Sequence, residues 1–272
     1  MKFESWQKLN LPKIGFGTWE IGGGSFADPS NDSRSLAALH SALELGYTHF
    51  DTAEDYAEGH AEELLGQAIR ESQIKRDSLF ITSKVSPEHL SYDAVLRSCT
   101  GSLHRLNLEY IDLYLIHWPK VGMNLVDTFK ALNQLVREGK VRHLGVSNFN
   151  LKLLKRSQEL SETPILTDQI PYSLFERAYA KNAVLEYCMK NDILITAYSP
   201  LEQGHLPVNK TLQAVAEAHS VPPHQISLAW LVAQPHIITI PASSDPRHQK
   251  ENISSADIVL TAEEMQVLDR LH

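Results

Sequence analysis

Four side chains that can exchange protons stand at corresponding places along this sequence. Asp51, Lys84 and His117 each end or follow a segment that predicts a β-strand, and Tyr56 lies on the loop that leaves the strand of Asp51. A free tyrosine has a pKa of about 10 and exchanges protons poorly at neutral pH. A nearby lysine ammonium stabilises the phenolate and lowers that pKa, while a carboxylate keeps the ammonium charged. The set therefore predicts Tyr56 as a proton donor.

His117 can complete such a site, because its imidazole can donate a hydrogen bond to a substrate carbonyl and hold it in line. None of the four side chains is a source of hydride, so the set requires a redox cofactor beside a small-molecule carbonyl substrate. Two alternatives remain open at this point. Asp51 and Lys84 can form an ion pair that only stabilises the fold, and an isolated His117 can be a hydrogen-bonded core residue.

A metal site is a third alternative, because His49 and Asp51 lie two residues apart on one predicted strand and face the same side of it. A metal-dependent barrel hydrolase would use such a pair. No further set of ligands follows in the sequence, and a metal site leaves Tyr56 and Lys84 without a role. We therefore predict no metal site, and we interpret the remaining histidines as surface residues.

Short apolar segments of β type alternate with longer segments whose apolar residues recur every three or four positions. The predicted strands are Ile14–Thr18, Thr48–Asp51, Leu79–Ser83, Ile111–Ile116, His143–Ser147, Leu166–Gln169, Leu194–Ala197 and Ile237–Ile240. The predicted helices are Ser33–Leu45, Ala61–Ser72, Tyr92–Leu106, Leu125–Glu138, Leu151–Leu160, Lys181–Asn191, Thr211–His219, Gln225–Ala233 and Thr261–Leu271. Asn124, Asn150 and Thr261 are predicted N-caps, and Gly46 is expected to end the first helix.

Eight strand–helix units in one chain favour a closed α/β barrel of the (β/α)8 or TIM type over an open doubly wound sheet. We predict one such domain over residues 1–272. Functional residues of this fold lie at the C-terminal ends of the strands, where Asp51, Lys84 and His117 stand. The pair Gly15 and Gly17 lacks the third glycine of a dinucleotide fingerprint, because Glu20 occupies that position.

Composition limits the partners that we expect. Of the 272 residues, 43% are hydrophobic, which is ample for a buried core, and the net charge is −8. Nucleic-acid binding relies on basic patches, so no nucleic-acid partner is predicted. The sequence has no signal peptide and no transmembrane segment, so we expect a cytoplasmic monomer without a membrane partner. Cys99 and Cys188 lack the spacing of a zinc or redox pair and are expected to be buried free thiols.

A series of motifs, spread over essentially the whole chain, makes this sequence resemble the aldo-keto reductase family. The motifs are Gly15–Trp19, Phe50–Tyr56, Ile81–Lys84, Asp112–Pro119, Gly145–Phe149, Asp168–Gln169, Ala197–Leu201, Ile240–Ser244 and Glu251–Asn252. Each motif alone is weak evidence, whereas their common order and spacing are specific. The resemblance implies an oxidoreductase that reduces aldehydes and ketones to alcohols with NAD(P)H. It implies Asp51, Tyr56, Lys84 and His117 as catalytic residues, which agrees with the interpretation from residue types.

The resemblance also implies a cofactor site. Residues implied around the nicotinamide are Thr18, Trp19, Asp51, Ser147, Asn148, Gln169 and Tyr198, and those implied along the pyrophosphate and adenosine are Ser199, Leu201, Ser243, Glu251 and Asn252. Trp19, Tyr56, His117 and Trp118 are expected to contact the substrate. Some family members serve as channel subunits, so a cofactor-sensing or partner-binding subunit with little turnover is the alternative function.

Two departures from the family pattern affect specificity. Many members carry a lysine and an arginine that bind the 2′-phosphate of NADPH, but Ala242 and His248 stand at those positions, with Arg247 beside the second. We expect NADPH, bound through Arg247 and His248, with a smaller margin over NADH than a lysine-bearing member shows. The sequence also ends at His272, directly after the last predicted helix, so we expect an open site with broad specificity.

Overall fold

A computed structural model describes residues 2–181 and 183–271. The chain opens with a hairpin of two antiparallel strands, β1 (Phe3–Trp6) and β2 (Leu9–Pro12). Trp6 and Leu11 of the hairpin pack against a buried cluster from the later strands, formed by Leu113, Leu115, Leu166, Leu194 and Ile238. The indole of Trp6 donates a hydrogen bond to the Asp192 carbonyl at 2.6 Å, just before a strand begins. The hairpin therefore covers the N-terminal end of the sheet.

Eight parallel strands form the main sheet and are hydrogen-bonded in sequence order. They are β3 (Phe16–Gly17), β4 (His49–Asp51), β5 (Phe80–Val85), β6 (Ile111–Ile116), β7 (Val141–Ser147), β8 (Ile165–Pro171), β9 (Leu194–Tyr198) and β10 (Ile237–Thr239). Gly15 N donates to Thr239 O, and Thr239 N donates to Lys13 O, both at 2.8 Å. The last strand thus pairs with the segment that enters the first, and the predicted (β/α)8 barrel is confirmed.

Gly17 is required where the sheet closes. A Cβ at this position would lie 2.7 Å from the carbonyl oxygen of Ile240, a distance that real Cβ atoms do not reach. The glycine allows the two backbones to approach closely and lets Gly17 N donate to Pro241 O at 3.2 Å. The Gly15-x-Gly17 motif therefore has a structural role in barrel closure.

Helices surround the sheet and bury its outer face. They are α1 (Asp32–Glu44), α2 (His60–Ser72), α3 (Tyr92–Leu106), α4 (Leu125–Arg137), α5 (Leu151–Leu160), α6 (Ala178–Lys181), α7 (Val184–Lys190), α8 (Lys210–His219), α9 (Pro223–Ala233), α10 (Pro246–Ser254) and α11 (Ala262–Leu268). The predicted caps are confirmed: Asn124 accepts from Asp127 N, Asn150 from Leu153 N, and Thr261 forms a capping box with Glu264. Cys99 and Cys188 are buried free thiols, as expected.

Two helical predictions differ from the structure. The predicted helix Lys181–Asn191 is replaced by α6 and α7, and residue 182 between them lies outside the described residues. Helix α10 was not predicted, because its sequence is almost entirely polar and gives no apolar periodicity. Its start is nevertheless encoded: Asp245 accepts a hydrogen bond from Arg247 N, and Pro246 occupies the first helical turn. Among the described residues, no helix has the length and apolar character needed to cross a membrane.

Candidate active site

The loops that follow the C-terminal ends of the barrel strands enclose a cavity of about 1180 Å³. This volume exceeds that of ordinary small-molecule pockets and suits an elongated ligand together with a small second one. Most of the predicted site residues line the cavity: Thr18, Trp19, Asp51, Tyr56, His117, Trp118, Ser147, Asn148, Gln169, Tyr198, Ser199, Leu201, Ser243, His248 and Asn252. Three predicted residues do not line it, namely Lys84, Arg247 and Glu251.

Lys84 lies beneath the cavity floor and is completely buried on β5. Its ammonium donates to Asp51 Oδ1 at 2.5 Å, to the Thr52 carbonyl at 2.9 Å and to Tyr56 Oη at 3.1 Å. These contacts use all three hydrogens of the ammonium group. Tyr56 Oη is therefore an acceptor towards Lys84, and its own hydrogen remains free to be donated into the cavity.

Charges around this contact determine two protonation states. Burial lowers the pKa of Lys84, but the negative charge of Asp51 and the contact with Tyr56 outweigh it and raise the pKa above its ordinary value. Burial raises the pKa of Tyr56, and the attraction of Lys84 only partly offsets this effect. Lys84 thus lowers the pKa of Tyr56 as expected from sequence, but burial, which the sequence did not reveal, raises it by more. At neutral pH Lys84 is charged and Tyr56 is protonated.

A polar network extends from Asp51 along one wall of the cavity. Gln169 Nε2 donates to Asp51 Oδ2 at 2.8 Å, and Ser147 Oγ donates to the Gln169 carbonyl at 2.9 Å. Asn148 donates to Ser147 Oγ at 2.8 Å and accepts from Tyr198 Oη at 2.9 Å. Asn148 also has a positive φ of 62°, a conformation that asparagine tolerates better than most residues. The network fixes these side chains before any ligand binds.

His117 packs against Tyr56, with the two ring centroids 5.6 Å apart. Its Nδ1 lies 3.0 Å from Asp55 Oδ2. Burial and the charge of Lys84 lower the pKa of His117, whereas Asp55 raises it; the net shift is downward. Trp19 contacts Tyr56 edge to face at 5.0 Å, and Trp19 and Trp118 both remain nearly half exposed at the rim of the cavity.

The far end of the cavity is lined by Ala242, Ser243, His248 and Asn252. Asn252 is 3% exposed, and its Oδ1 has no hydrogen-bond partner among the described residues. A buried acceptor in a cavity wall is suited to an amino group of a ligand, because an unpaired buried polar atom is costly. This end of the cavity can therefore take a ligand group that donates a hydrogen bond.

Arg247 points away from this end of the cavity. Its guanidinium binds Asp245, with Nη2 2.8 Å from Oδ2, and its side chain is 84% exposed. Asp245 itself caps α10 and does not line the cavity. The structure thus separates Arg247 from His248, which sequence reasoning had placed together.

Sequence reasoning missed several residues at or near the cavity, among them Asp55, His224 and Arg34. Asp55 adjoins Tyr56 in a strand-end motif, and this adjacency was an unused signal. His224, which was interpreted only as a surface histidine, lines the cavity, with Nε2 3.1 Å from Glu251 Oε2. Arg34 of α1 donates to Ser244 Oγ at 2.7 Å, a contact between the first and last strand–helix units that no local pattern reveals.

Comparisons with known proteins agree with this architecture. A family model described as the aldo/keto reductase family matches residues 13–272. The chain belongs to the aldo/keto reductase family. It is 33% identical to the methylglyoxal reductase YeaE of Escherichia coli (strain K12), over 97% of this chain and 92% of that protein. It is 35% identical to the glyoxal reductase of Bacillus subtilis (strain 168), over 97% of this chain and 90% of that protein.

Solved structures of the aldo/keto reductase family match over the whole barrel. The thermostable aldo-keto reductase Tm1743, in complex with the inhibitor epalrestat, superposes with a TM-score of 0.96 at 41% identity and covers 100% of both chains. An aldo/keto reductase from Klebsiella pneumoniae, in complex with NADP and acetate, matches with a TM-score of 0.87 at 34% identity, over 99% of this chain and 95% of that one.

Proposed function

We propose that this chain is an NAD(P)H-dependent carbonyl reductase in which Tyr56 is the general acid. The observation that carries the proposal is the buried ammonium of Lys84, whose three hydrogens point to Asp51, Thr52 and Tyr56. This arrangement leaves the phenol hydrogen facing a cavity large enough for a dinucleotide and a small substrate. An ion pair between Asp51 and Lys84 that only stabilised the fold would not require the phenol group of Tyr56.

The four residues have distinct roles in the proposed reaction. NADPH, when bound, supplies the hydride that reduces the carbonyl carbon. Tyr56 Oη donates its proton to the carbonyl oxygen, and Lys84 stabilises the phenolate that remains. Asp51 keeps Lys84 charged and oriented, since a buried ammonium without an anion would lose its proton. His117 borders the substrate beside Trp118.

Residues along the cavity are placed to hold such a cofactor. Gln169 donates through Nε2 to Asp51, so its Oε1 is available to accept a hydrogen bond from an amide group of the cofactor. Asn148 and Ser147 lie along the same polar wall of the cavity. At the other end, the unpaired Oδ1 of Asn252 and the side chains of Ser243 and His248 are suited to adenosine. NADPH is favoured because solved relatives bind it, with NADH as the weaker cofactor.

The relatives named for methylglyoxal and glyoxal reduction point to small oxoaldehydes as substrates for this chain as well. The rim supports this choice, because the indoles of Trp19 and Trp118 offer apolar walls of modest size.

Cofactor titration followed by a substrate panel tests the proposal. Quenching of tryptophan fluorescence should show NADPH binding, and methylglyoxal, glyoxal and simple aldehydes should then oxidise NADPH at measurable rates. Tight NADPH binding with no turnover of any carbonyl compound would instead identify a cofactor-sensing subunit. Absence of binding to either dinucleotide would reject both functions.

A further inference from the structure

A second cavity, of about 550 Å³, lies beside the main one, between the loop that follows β3 and the segment that joins β10 to α10. The two cavities share part of their lining, including Ala242 and Ser243. These two residues also border the end of the main cavity where Asn252 has its unpaired acceptor. A ligand that lies at that end can therefore extend a substituent into the second cavity.

Arg34, in the first turn of α1, is the only lysine or arginine among the described residues that line the second cavity. Its Nη2 donates to Ser244 Oγ at 2.7 Å, and no described carboxylate forms an ion pair with it. A guanidinium has five N–H donors, so most of them remain available to a ligand. Ser244 accepts from Arg34 through its oxygen and keeps its own hydrogen to donate.

Arg247 and the two histidines at this end of the main cavity are less suited to bind an anion. Arg247 is held by an ion pair on α10 and lines neither cavity. The rings of His224 and His248 face each other at 6.0 Å, and Glu251 lies 3.1 Å from His224, so its carboxylate offsets positive charge on this pair. Arg34 is therefore the arginine at this junction whose charge no described side chain neutralises.

The polar groups of the second cavity match a phosphate monoester. Arginine and hydroxyl donors bind phosphate oxygens through short charge-assisted hydrogen bonds, and the planar guanidinium fits two of these oxygens at once. Two acidic residues also line this cavity. Asp28 is occupied by Ser30 and Asn31 in the turn before α1, and Glu20 lies beside Trp19 on the wall shared with the main cavity.

We infer that Arg34, together with Ser244, binds the 2′-phosphate of NADPH in the second cavity, so that α1 carries the positive charge that selects NADPH over NADH. This inference rests on the proposed reductase function. NADPH differs from NADH only by this phosphate, so Arg34 determines the cofactor preference and takes no part in proton transfer. The assignment differs from the sequence-based expectation, which gave this role to Arg247 and His248.

Calorimetric titration with cofactor fragments tests the contact without turnover. The pair 2′,5′-ADP and 5′-AMP differs by the 2′-phosphate, as NADP⁺ and NAD⁺ do. In Arg34→Gln the affinity for 2′,5′-ADP and NADP⁺ should fall by about tenfold or more, the value of a charge-assisted hydrogen bond. The affinity for 5′-AMP and NAD⁺ should not change. Arg34→Lys should keep part of the preference, because the charge remains while the planar fork is lost.

Two further variants separate Arg34 from its surroundings. Arg247→Gln is the matched control, an exposed arginine on the neighbouring helix α10, and it should change the ratio of NADP⁺ to NAD⁺ affinity by less than about twofold. Adding Ala242→Lys to Arg34→Gln should restore the preference for NADP⁺, because it returns a positive charge to the place where the two cavities meet.

The outcomes distinguish this inference from the proposed function. An NADP⁺ preference that depends on Arg34, without turnover of any carbonyl compound, would reject the reductase and support the inference. A preference that Arg34→Gln leaves intact would overturn the inference, and carbonyl reduction by the wild type would still support the reductase. An equal loss of 5′-AMP and 2′,5′-ADP binding in Arg34→Gln would also overturn it, because the arginine would then not recognise the 2′-phosphate.

Discussion

The two ends of the cavity hold their charged groups very differently. At the catalytic end, the ammonium of Lys84 is fully buried and bound to Asp51, which is bound in turn to Gln169. At the end of the cavity that we propose for adenosine, Ala242 contributes no charge, and Arg247, which does not line the cavity, is exposed and bound to Asp245. The charged groups at the catalytic end are held by hydrogen bonds within the protein, whereas the end that we propose for adenosine offers few such fixed charges to a cofactor. Substitutions should therefore have large effects at the first end and small ones at the second.

Tyr56→Phe should produce the largest effect on turnover. The substitution keeps the ring, which packs against Trp19 and His117, and removes only the hydroxyl group. General acid catalysis is worth about 100- to 10,000-fold, so kcat for aldehyde reduction should fall by this factor. Stopped-flow and steady-state assays measure the loss, and fluorescence titration should show unchanged affinity for NADPH. Retention of wild-type kcat would exclude Tyr56 as the proton donor.

Lys84→Met should lower both activity and stability. The variant leaves the carboxylate of Asp51 buried without its cation, and breaking such a pair costs about 3–5 kcal/mol. The pKa of Lys84 is raised in the folded state. The stabilisation that its charge gives the folded protein is therefore fully present below the unfolded-state pKa, and it is lost only as pH rises through the folded-state pKa. The decrease in the free energy of unfolding of Lys84→Met, measured by urea-induced unfolding, should therefore be constant across neutral pH. The double variant Lys84→Met/Asp51→Asn is the control and should recover part of the stability, since it removes the unpaired charge. A single variant as stable as the wild type would contradict this account.

The two ends of the cavity also differ in how well their residues could be predicted from the sequence. Asp51, Lys84 and His117 lie in or directly after strands, and the barrel topology brings strand ends together, so their proximity followed from position alone. The direction of the Tyr56 pKa shift did not follow, because burial is a property of the folded site. Arg247 and His248 lie on a helix that apolar periodicity could not detect, and adjacent helical residues point in different directions.

Ala242→Lys tests this comparison, because it adds a positive charge to the end of the cavity that we propose for adenosine. Ala242 lines the cavity beside Ser243, so a lysine there would extend towards the 2′-phosphate of NADPH. A charge-assisted hydrogen bond is worth about 1.5–3 kcal/mol, so the affinity for NADP⁺ relative to NAD⁺ should rise by about tenfold or more. Calorimetric titration with both dinucleotides measures the ratio, and Ala242→Met controls for chain length. If lysine strengthens both cofactors equally, position 242 does not contact the 2′-phosphate.

Arg247→Ala should have the smallest effect of the series. The hydrogen bonds from Arg247 lower the pKa of Asp245 to about 2, so this carboxylate stays charged and retains the guanidinium at physiological pH. The ratio of NADP⁺ to NAD⁺ affinity in Arg247→Ala should therefore remain within about twofold of the wild type, as for other solvent-exposed ion pairs. Asp245→Asn provides the matched test, because asparagine caps a helix as well as aspartate but holds arginine less strongly. It should increase the NADP⁺ preference only when Arg247 is present, which a double-mutant cycle by calorimetry can measure. A large loss in Arg247→Ala alone would mean that the guanidinium leaves Asp245 when the cofactor binds, and the two ends of the cavity would then differ less than the structure indicates.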